Sequence, residues 1–281
     1  MTIATLSQVL TPCLTDGTAV AGLVVLGWED ATAFVQAAEA EGRPVILQAG
    51  PGCRAHTPLP VLGAMFRTLA EQAGVPVVAH LDHGEGSAVC RQAIDCGFTS
   101  VMYDGSSLPL EENIARTAEI VAMAHPAGVS VEAELGYVGY NSGAASRGTD
   151  PFEVERFASE TGIDALAVSV GNTHLMPGPG ALIDLGLLQS MATQCPHLPL
   201  VLHGGSGISP ALRRQIAAQT TVCKFNIGTE LRAVFGASLR EILARDPALF
   251  DRNQILSQTI PPMVAAARSC IASLAAGPRP V

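Results

Sequence analysis

Eight short runs of apolar, β-favouring residues recur along the chain, and stretches patterned for helix separate them. The runs are "GLVVLG" (22–27), "PVILQA" (44–49), "PVVAHL" (76–81), "TSVMYD" (99–104), "VSVEAEL" (129–135), "ALAVSVG" (165–171), "LPLVLHG" (198–204) and "TVCKFNIG" (221–228). Between the first two, "WEDATAFVQAAEAEG" places Ala31, Phe34, Val35 and Ala38 at helical spacing, on one apolar face. Glycine or proline often marks the return from helix to strand. Eight strand–helix units in 281 residues predict an α/β fold, a closed (β/α)8 TIM barrel formed by one domain over residues 1–281. An open doubly wound sheet is the alternative. Residues from about 248 to 281 form a C-terminal helical extension, in which "PPMVAAARSCIASLAAG" predicts a helix available for subunit contact. After the fifth run, "GYNSGAASRGTDP" is a long polar loop placed to act as a lid.

Composition narrows the function classes. Apolar residues make up 48% of the chain and charged residues 15%, enough for a large core and against disorder. A net charge of −9 argues against nucleic acid or an anionic membrane as partner. No apolar run reaches membrane-spanning length, and "MTIATLSQVL" lacks the basic and apolar blocks of a signal peptide. Seven cysteines without a CxxC pair read as reduced, mostly buried thiols, which predicts a cytoplasmic location.

The polar exceptions gather where the strands end. His80, Asp82 and His83 end the third run, Glu132 and Glu134 the fifth, His203 the seventh and Asn226 the eighth, while Asn172 and His174 follow the sixth. In a barrel these ends share the rim that carries catalytic groups. A single histidine at a strand end is usually a hydrogen-bonded structural residue. Three on one rim, His83, His174 and His203, suit a zinc ion with a position left open for substrate. His56, His125 and His197 fall in loop or helix contexts and read as surface residues. "HGGSGISP" (203–210) is a glycine-rich turn into a helix, with Ser209 as N-cap and Pro210 at the first helical position; its backbone N–H groups suit a phosphate.

These residues resemble the class II, zinc-dependent ketose-bisphosphate aldolases, the fructose- and tagatose-bisphosphate aldolase family. The resemblance runs over nearly the whole chain through "PVILQ", "HLDHG", "SVMYDGSSLPLEENI", "VSVEAELG", "TGIDALAVSVGNTH", "LVLHGGSGIS" and "CKFNIGTELR". It implies a (β/α)8 barrel and reversible aldol cleavage of a phosphorylated ketose to dihydroxyacetone phosphate and an aldehyde. It further implies that His83, His174 and His203 bind zinc, that Asp82 exchanges a proton with the C4 oxygen, that Glu134 lies near the metal and that His80 supports the site from behind. Gly204, Ser206 and Thr229 match residues that hold the phosphate of the triose half, Asn226 an asparagine beside that triose, and Arg232 a basic residue for a second phosphate. Gln48 is carried over with the substrate-binding set. A sodium or potassium ion near the phosphate and a homodimer or homotetramer are family traits. No Schiff-base lysine is required.

The departures lie on the substrate side. Where the family reads "GAFNV" in strand one, "AGLVV" puts Val24 in place of an asparagine. After His174, "HLMPGPG" replaces a glycine and a Tyr-Lys-Gly lid with Leu175 and Pro177. The "GGxE" lid glutamate is absent from "GYNSGAASRG", and Asn253 of "DRN" stands where "DPR" carries an arginine. Gly228 stands where fructose-specific members of the family carry aspartate, and is closer to the alanine of the tagatose type. Arg54 and Arg147 are candidates for new anion contacts, with a solvated surface role as the default. The expectation is a lyase with intact metal chemistry and an altered substrate, one lacking the second phosphate. The alternatives are a non-catalytic zinc or sugar-phosphate-binding barrel derived from that family, or a structural protein with a relic site.

Overall fold

The computed structural model describes residues 2–140, 143, 145–176 and 178–275. Each apolar run overlaps a strand: β1 (Val20–Val24), β2 (Val45–Ala49), β3 (Val77–Gly84), β4 (Ser100–Tyr103), β5 (Ser130–Leu135), β6 (Ala165–Val168), β7 (Leu200–Leu202) and β8 (Val222–Ile227); β1 begins ahead of its run and β3 extends past its own. They pair in sequence order, all parallel, and β1 closes on β8 through the register Gly22 to Asn226. The fold is the predicted (β/α)8 barrel. Strands covered on both faces need no polar alternation, which is why they read as unbroken apolar runs.

Helices precede and separate the strands. α1 (Leu6–Asp16) comes before β1, and α2 (Trp28–Glu41) leads to β2. α3 (Pro51–His56) and α4 (Leu59–Gln72) lead to β3, then α5 (Ser87–Asp95) and α6 (Leu110–Ala124) follow β3 and β4. α7 (Pro151–Thr161), α8 (Leu185–Gln194) and α9 (Pro210–Gln219) follow β5, β6 and β7. α10 (Thr229–Arg245) leaves β8, and α11 (Arg252–Ser257) and α12 (Ile260–Ala272) follow it. Side chains that satisfy free helix N-terminal amides set several starts: Asp150 accepts from Phe152 N, Asp184 from Leu187 N, and Ser209 from Leu212 N with Pro210 behind it, as the sequence predicts.

The barrel interior is layered. Its floor is apolar, built from Val20, Ile46, Val78, Met102, Ala165, Ala167, Val201 and Cys223, and α1 plugs it with Leu6, Val9, Leu10 and Cys13. Apolar periodicity alone predicts no helix there. The segment is short and carries Pro12, which obscures the pattern. A capping box starts it: the Thr5 hydroxyl accepts from Gln8 N while Thr5 N donates to Gln8 Oε1. Above the floor the interior turns polar, with Gln48, His80, Ser100, Glu132 and Lys224 all fully buried.

The C-terminal helix differs from its expected role. Met263, Ala267, Cys270 and Ile271 of α12 are buried within the chain, where α12 packs on α2 and reaches β1, and Leu274 O accepts from Ala19 N at 3.1 Å. Small residues on α2, Ala31, Ala33, Ala37 and Ala38, permit this second layer. The apolar face predicted for a subunit contact is therefore covered by this chain's own α2. All seven cysteines are free thiols, six of them buried. Among the described residues no helix is long and apolar enough to cross a membrane.

If α1 seals the floor, Leu10→Ala should cost about 2–5 kcal/mol by opening a cavity. The urea midpoint should fall while helix and strand content, read by far-UV circular dichroism, stays unchanged. An unmoved midpoint would show that the plug contributes nothing.

Candidate active site

At the end of β3 the regular strand pattern fails where it matters. Alternation would turn His80 and Asp82 inward and His83 outward. The register with β4 shifts between Leu81 and Gly84, and His83 takes a left-handed backbone at φ 49°. This irregularity lets the adjacent Asp82 and His83 line one cavity. His174 comes from the loop after β6. Its N–H donates to Gly139 O at 2.8 Å, and its ring stacks on Tyr140 with centroids 4.9 Å apart. His203 follows β7. The three imidazoles meet edge to face, His83 to His203 at 4.7 Å, His83 to His174 at 5.2 Å and His174 to His203 at 5.5 Å. One nitrogen of each lies within 4.8 Å of the others, so the set can share a metal ion.

Hydrogen bonds choose the tautomers. His83 donates Nδ1–H to Asp104 Oδ2 at 2.8 Å, which leaves the Nε2 lone pair free. Ser106 N and its hydroxyl hold the other Asp104 oxygen. His203 donates Nε2–H to Glu132 Oε1 at 3.1 Å, leaving Nδ1 with its lone pair. That Nδ1 and Glu134 Oε2 are 3.6 Å apart, both buried, and neither has a hydrogen-bond partner among the described residues. Two unmatched buried polar atoms cost about 1–3 kcal/mol each. A cation resolves both, so the donor set fits a divalent metal.

The electrostatics agree. Burial pushes His203 well below the ordinary histidine range, and burial with the charge on His83 lowers His174 to about 4. For His83 burial also opposes charge, but Asp82, Asp104 and Glu134 outweigh it and raise the group to about 9. Burial, then the charge on Asp104, lifts Glu134 to about 8. Two imidazoles held neutral, beside a third that its carboxylates draw to a proton, mark a centre that favours positive charge, whether a proton or a metal.

Beneath the rim runs a polar chain that sequence spacing does not announce. Lys224, the only lysine in the protein, donates from Nζ to Glu132 Oε2 at 2.6 Å and to His80 Nε2 at 3.2 Å. His80 then donates Nδ1–H to Ser100 Oγ at 2.8 Å. Burial, then the Lys224 charge, keeps His80 well below the ordinary histidine range. The strand-end pattern locates His80 and Glu132. It does not connect them to Lys224, because β3, β5 and β8 are far apart along the chain.

The remaining candidates line or support one cavity of about 260 Å³. Asn226 Nδ2 donates to Asp82 Oδ1 at 3.2 Å, and the other oxygen of Asp82 faces Gly50, where a Cβ would lie 3.2 Å away. Gly204, Ser206, Thr229 and Arg232 are on the wall. Gly204 needs to be glycine: φ is 67°, and a Cβ would sit 2.2 Å from Thr173 O. The buried Arg213 guanidinium donates to Gly205 O and pairs with Glu230, which ties the glycine turn to α10. Sequence patterning does not single out Arg213, Asp104 or Tyr140; of these Asp104 is recoverable, since it ends β4 beside the other polar strand ends.

Gln48 departs from expectation. It is buried behind Asn226, its amide has no partner among the described residues, and it is not on the cavity wall; Gly22 makes room for it, since a Cβ there would lie 2.0 Å from Oε1. Arg54 does not offer a free anion site. It donates to Ala49 O and Asp82 O from Nη1 and to His83 O from Nη2, so it ties the end of β2 to the end of β3. Arg147 donates to Ser106 O. Leu175 adopts φ 59°, a conformation that suits glycine, and stands half-exposed on the wall. Val24 fills the space beside Gly228, where a Cβ would approach Val24 Cγ2 to 3.0 Å. His125 pairs with Asp164 at 2.9 Å near the surface. Asn253 lies exposed in α11. Asn141, Ser142 and Ala144 of the polar loop, and Pro177, fall outside the described residues.

Comparison with known proteins finds relatives over nearly the whole chain. Residues 4–277 match the family model for class-II fructose-bisphosphate aldolase. A fructose-bisphosphate aldolase of Geobacillus stearothermophilus is 38% identical over 265 residues, 91% of each chain. One from Streptococcus pyogenes serotype M6 is 41% identical over 234 residues, covering 80% of this chain and 78% of that protein. The crystal structure of the YdjI aldolase from Escherichia coli K12 superposes with a TM-score of 0.84 at 29% identity, covering 97% of both chains.

The Lys224–Glu132 pair makes a stability prediction. Lys224→Met strands a buried carboxylate and should cost about 3–5 kcal/mol, whereas adding Glu132→Gln should recover most of the loss. Urea unfolding with chelator present measures both; equal stability of the single variant and the parent would refute the pairing.

Proposed function

The chain belongs to the class-II fructose-bisphosphate aldolase family, a family of lyases, and on that premise we propose that it is a zinc enzyme. Its proposed substrate is a ketose 1-phosphate, cleaved reversibly to dihydroxyacetone phosphate and an aldehyde. One observation carries the reading: three lone-pair-bearing imidazole nitrogens converge beside Asp82, with the orphaned Glu134 oxygen facing His203. His83, His174 and His203 hold the metal, with Glu134 as an alternate ligand. When bound, zinc acts as a Lewis acid on the ketose oxygens and stabilises the negative charge that cleavage leaves on the triose.

The chain's own groups do the rest. Asp82 accepts the C4 hydroxyl proton during cleavage and returns it in condensation, while Asn226 fixes its carboxylate. The turn at Gly204 and Ser206, with Thr229 opening α10, offers backbone amides and hydroxyls to the triose phosphate. A sodium or potassium ion beside that phosphate belongs to the same proposal. His80, Lys224 and Glu132 hold His203 in its ligating tautomer.

Two experiments test this reading. Elemental analysis should find about one zinc per chain, lost in His174→Ala. Asp82→Ala should keep the metal yet lose cleavage by about 10²–10⁴-fold. Full turnover in Asp82→Ala would exclude it as the proton carrier.

The aldehyde side favours a substrate without a second phosphate. Val24 offers no hydrogen bond, Asn253 is no cation, and Arg54 is committed to backbone carbonyls. Among the described residues Arg232 is the only arginine on the cavity wall. A dianion with one charged partner forgoes several charge-assisted hydrogen bonds. The value of kcat/KM should therefore be lower for fructose 1,6-bisphosphate than for a ketose 1-phosphate of similar length. A clear preference for the bisphosphate that disappears in Arg232→Ala would reverse this assignment without touching the lyase chemistry.

A further inference from the structure

Aldol chemistry requires proton movements at two atoms. In condensation the triose must lose a C–H proton, and the aldehyde oxygen must gain one. One carboxylate can carry the two protons in turn only if it reaches both atoms; with Asp82 assigned to the aldehyde oxygen, a second titratable group on the cavity wall is a candidate to work at the triose carbon.

Few described side chains on the cavity wall can do so. Those that titrate are Asp82, His83, His174, Cys53, Arg232 and Tyr140. His83 and His174 are committed to the metal in the reading above. Cys53 is almost fully buried, and Arg232 holds its proton too tightly to exchange it. Tyr140 remains. Its ring lies flat against His174, with centroids 4.9 Å apart and planes 27° from parallel. Its neighbour Gly139 accepts the His174 N–H, so the backbone of the polar loop is tied to this metal-binding histidine. The phenol hydroxyl makes no hydrogen bond with the described residues, and the side chain is 44% exposed at the cavity wall.

We propose that Tyr140 is the proton carrier at the triose carbon, an inference that rests on the aldolase reading and assigns one further role within it. In cleavage, Asp82 takes the O4 proton as the C3–C4 bond breaks and C4 becomes the aldehyde carbonyl. The bonding pair stays on the triose, delocalised over C3, C2 and the C2 oxygen. The Tyr140 hydroxyl gives its proton to C3, forming the new C–H bond. Water at the cavity mouth reprotonates the phenolate, and Asp82 releases its proton to solvent. One ketose phosphate yields one triose phosphate and one aldehyde, with no net gain of protons. The stack on His174 sets the phenol on the wall of the cavity that Asp82 also lines.

Tyr140→Phe tests the hydroxyl without removing the ring. The holoenzyme is incubated with dihydroxyacetone phosphate alone in D2O, and NMR follows exchange of the C3 hydrogen. Exchange should fall by about 10²-fold or more while zinc content is unchanged. With a ketose phosphate as substrate and hexacyanoferrate as trap, oxidation of the triose carbanion should persist at the parent rate while triose phosphate release drops. Exchange at the parent rate in Tyr140→Phe would overturn the proposal, as would loss of zinc in proportion to exchange, which would mark a purely structural stack. If the parent enzyme cleaves ketose phosphates and only the Tyr140 result fails, the lyase reading stands. If the parent neither exchanges nor cleaves, that reading falls first.

Discussion

A carboxylate and an ammonium, sealed together in the middle of a barrel, set the terms for everything above them. Glu132 has two oxygens and two donors to satisfy. One accepts from Lys224, the other from His203. Without Lys224 the carboxylate would be an uncompensated charge in a fully buried position, and it would take up a proton or disrupt the core. With Lys224 present it stays an acceptor, His203 keeps its proton on Nε2, and Nδ1 turns its lone pair toward Glu134 and the other histidines. The same ammonium orients His80 against Ser100. The apolar floor and the α1 plug lie directly below this network and complete its enclosure.

The rim departs from regular structure at the points that bear chemistry. His83 abandons the strand conformation so that it can share a cavity with Asp82, and Arg54 gathers the carbonyls of Ala49, Asp82 and His83 at that break. Gly204 turns the chain where a Cβ would collide with Thr173. Leu175 holds a left-handed backbone without being glycine, a conformation that costs roughly 1–2 kcal/mol. His83 lies within β3 and Gly204 just past β7, where the closed barrel fixes the neighbouring backbone and lets such conformations persist. Gly228 and Val24 complement each other on the cavity wall, where the absent side chain of one leaves room for the other.

Much of this arrangement is legible in the amino-acid sequence. The eight apolar runs announce the strands because both faces of each are covered, and the polar residues that end those runs mark the rim. His83, His174, His203, Asp82 and Asn226 stand out from that pattern and do meet. Chemistry carried by short motifs at strand ends survives translation from sequence to space, since a parallel barrel brings all such ends to one side.

What sequence alone determined is therefore the barrel, its rim and the residue types gathered there: local periodicity and strand-end polarity are properties of neighbouring residues. Only tertiary structure decided that Lys224 neutralises Glu132 from another strand, that Arg54 is taken up by carbonyls and Gln48 lies behind Asn226, that α12 buries its apolar face against α2, and that Tyr140 stacks on His174. Each depends on distance and direction between segments remote along the chain. A side chain's donors, lone pairs and apolar surface can be used once only, and which neighbour takes them is settled when the barrel closes.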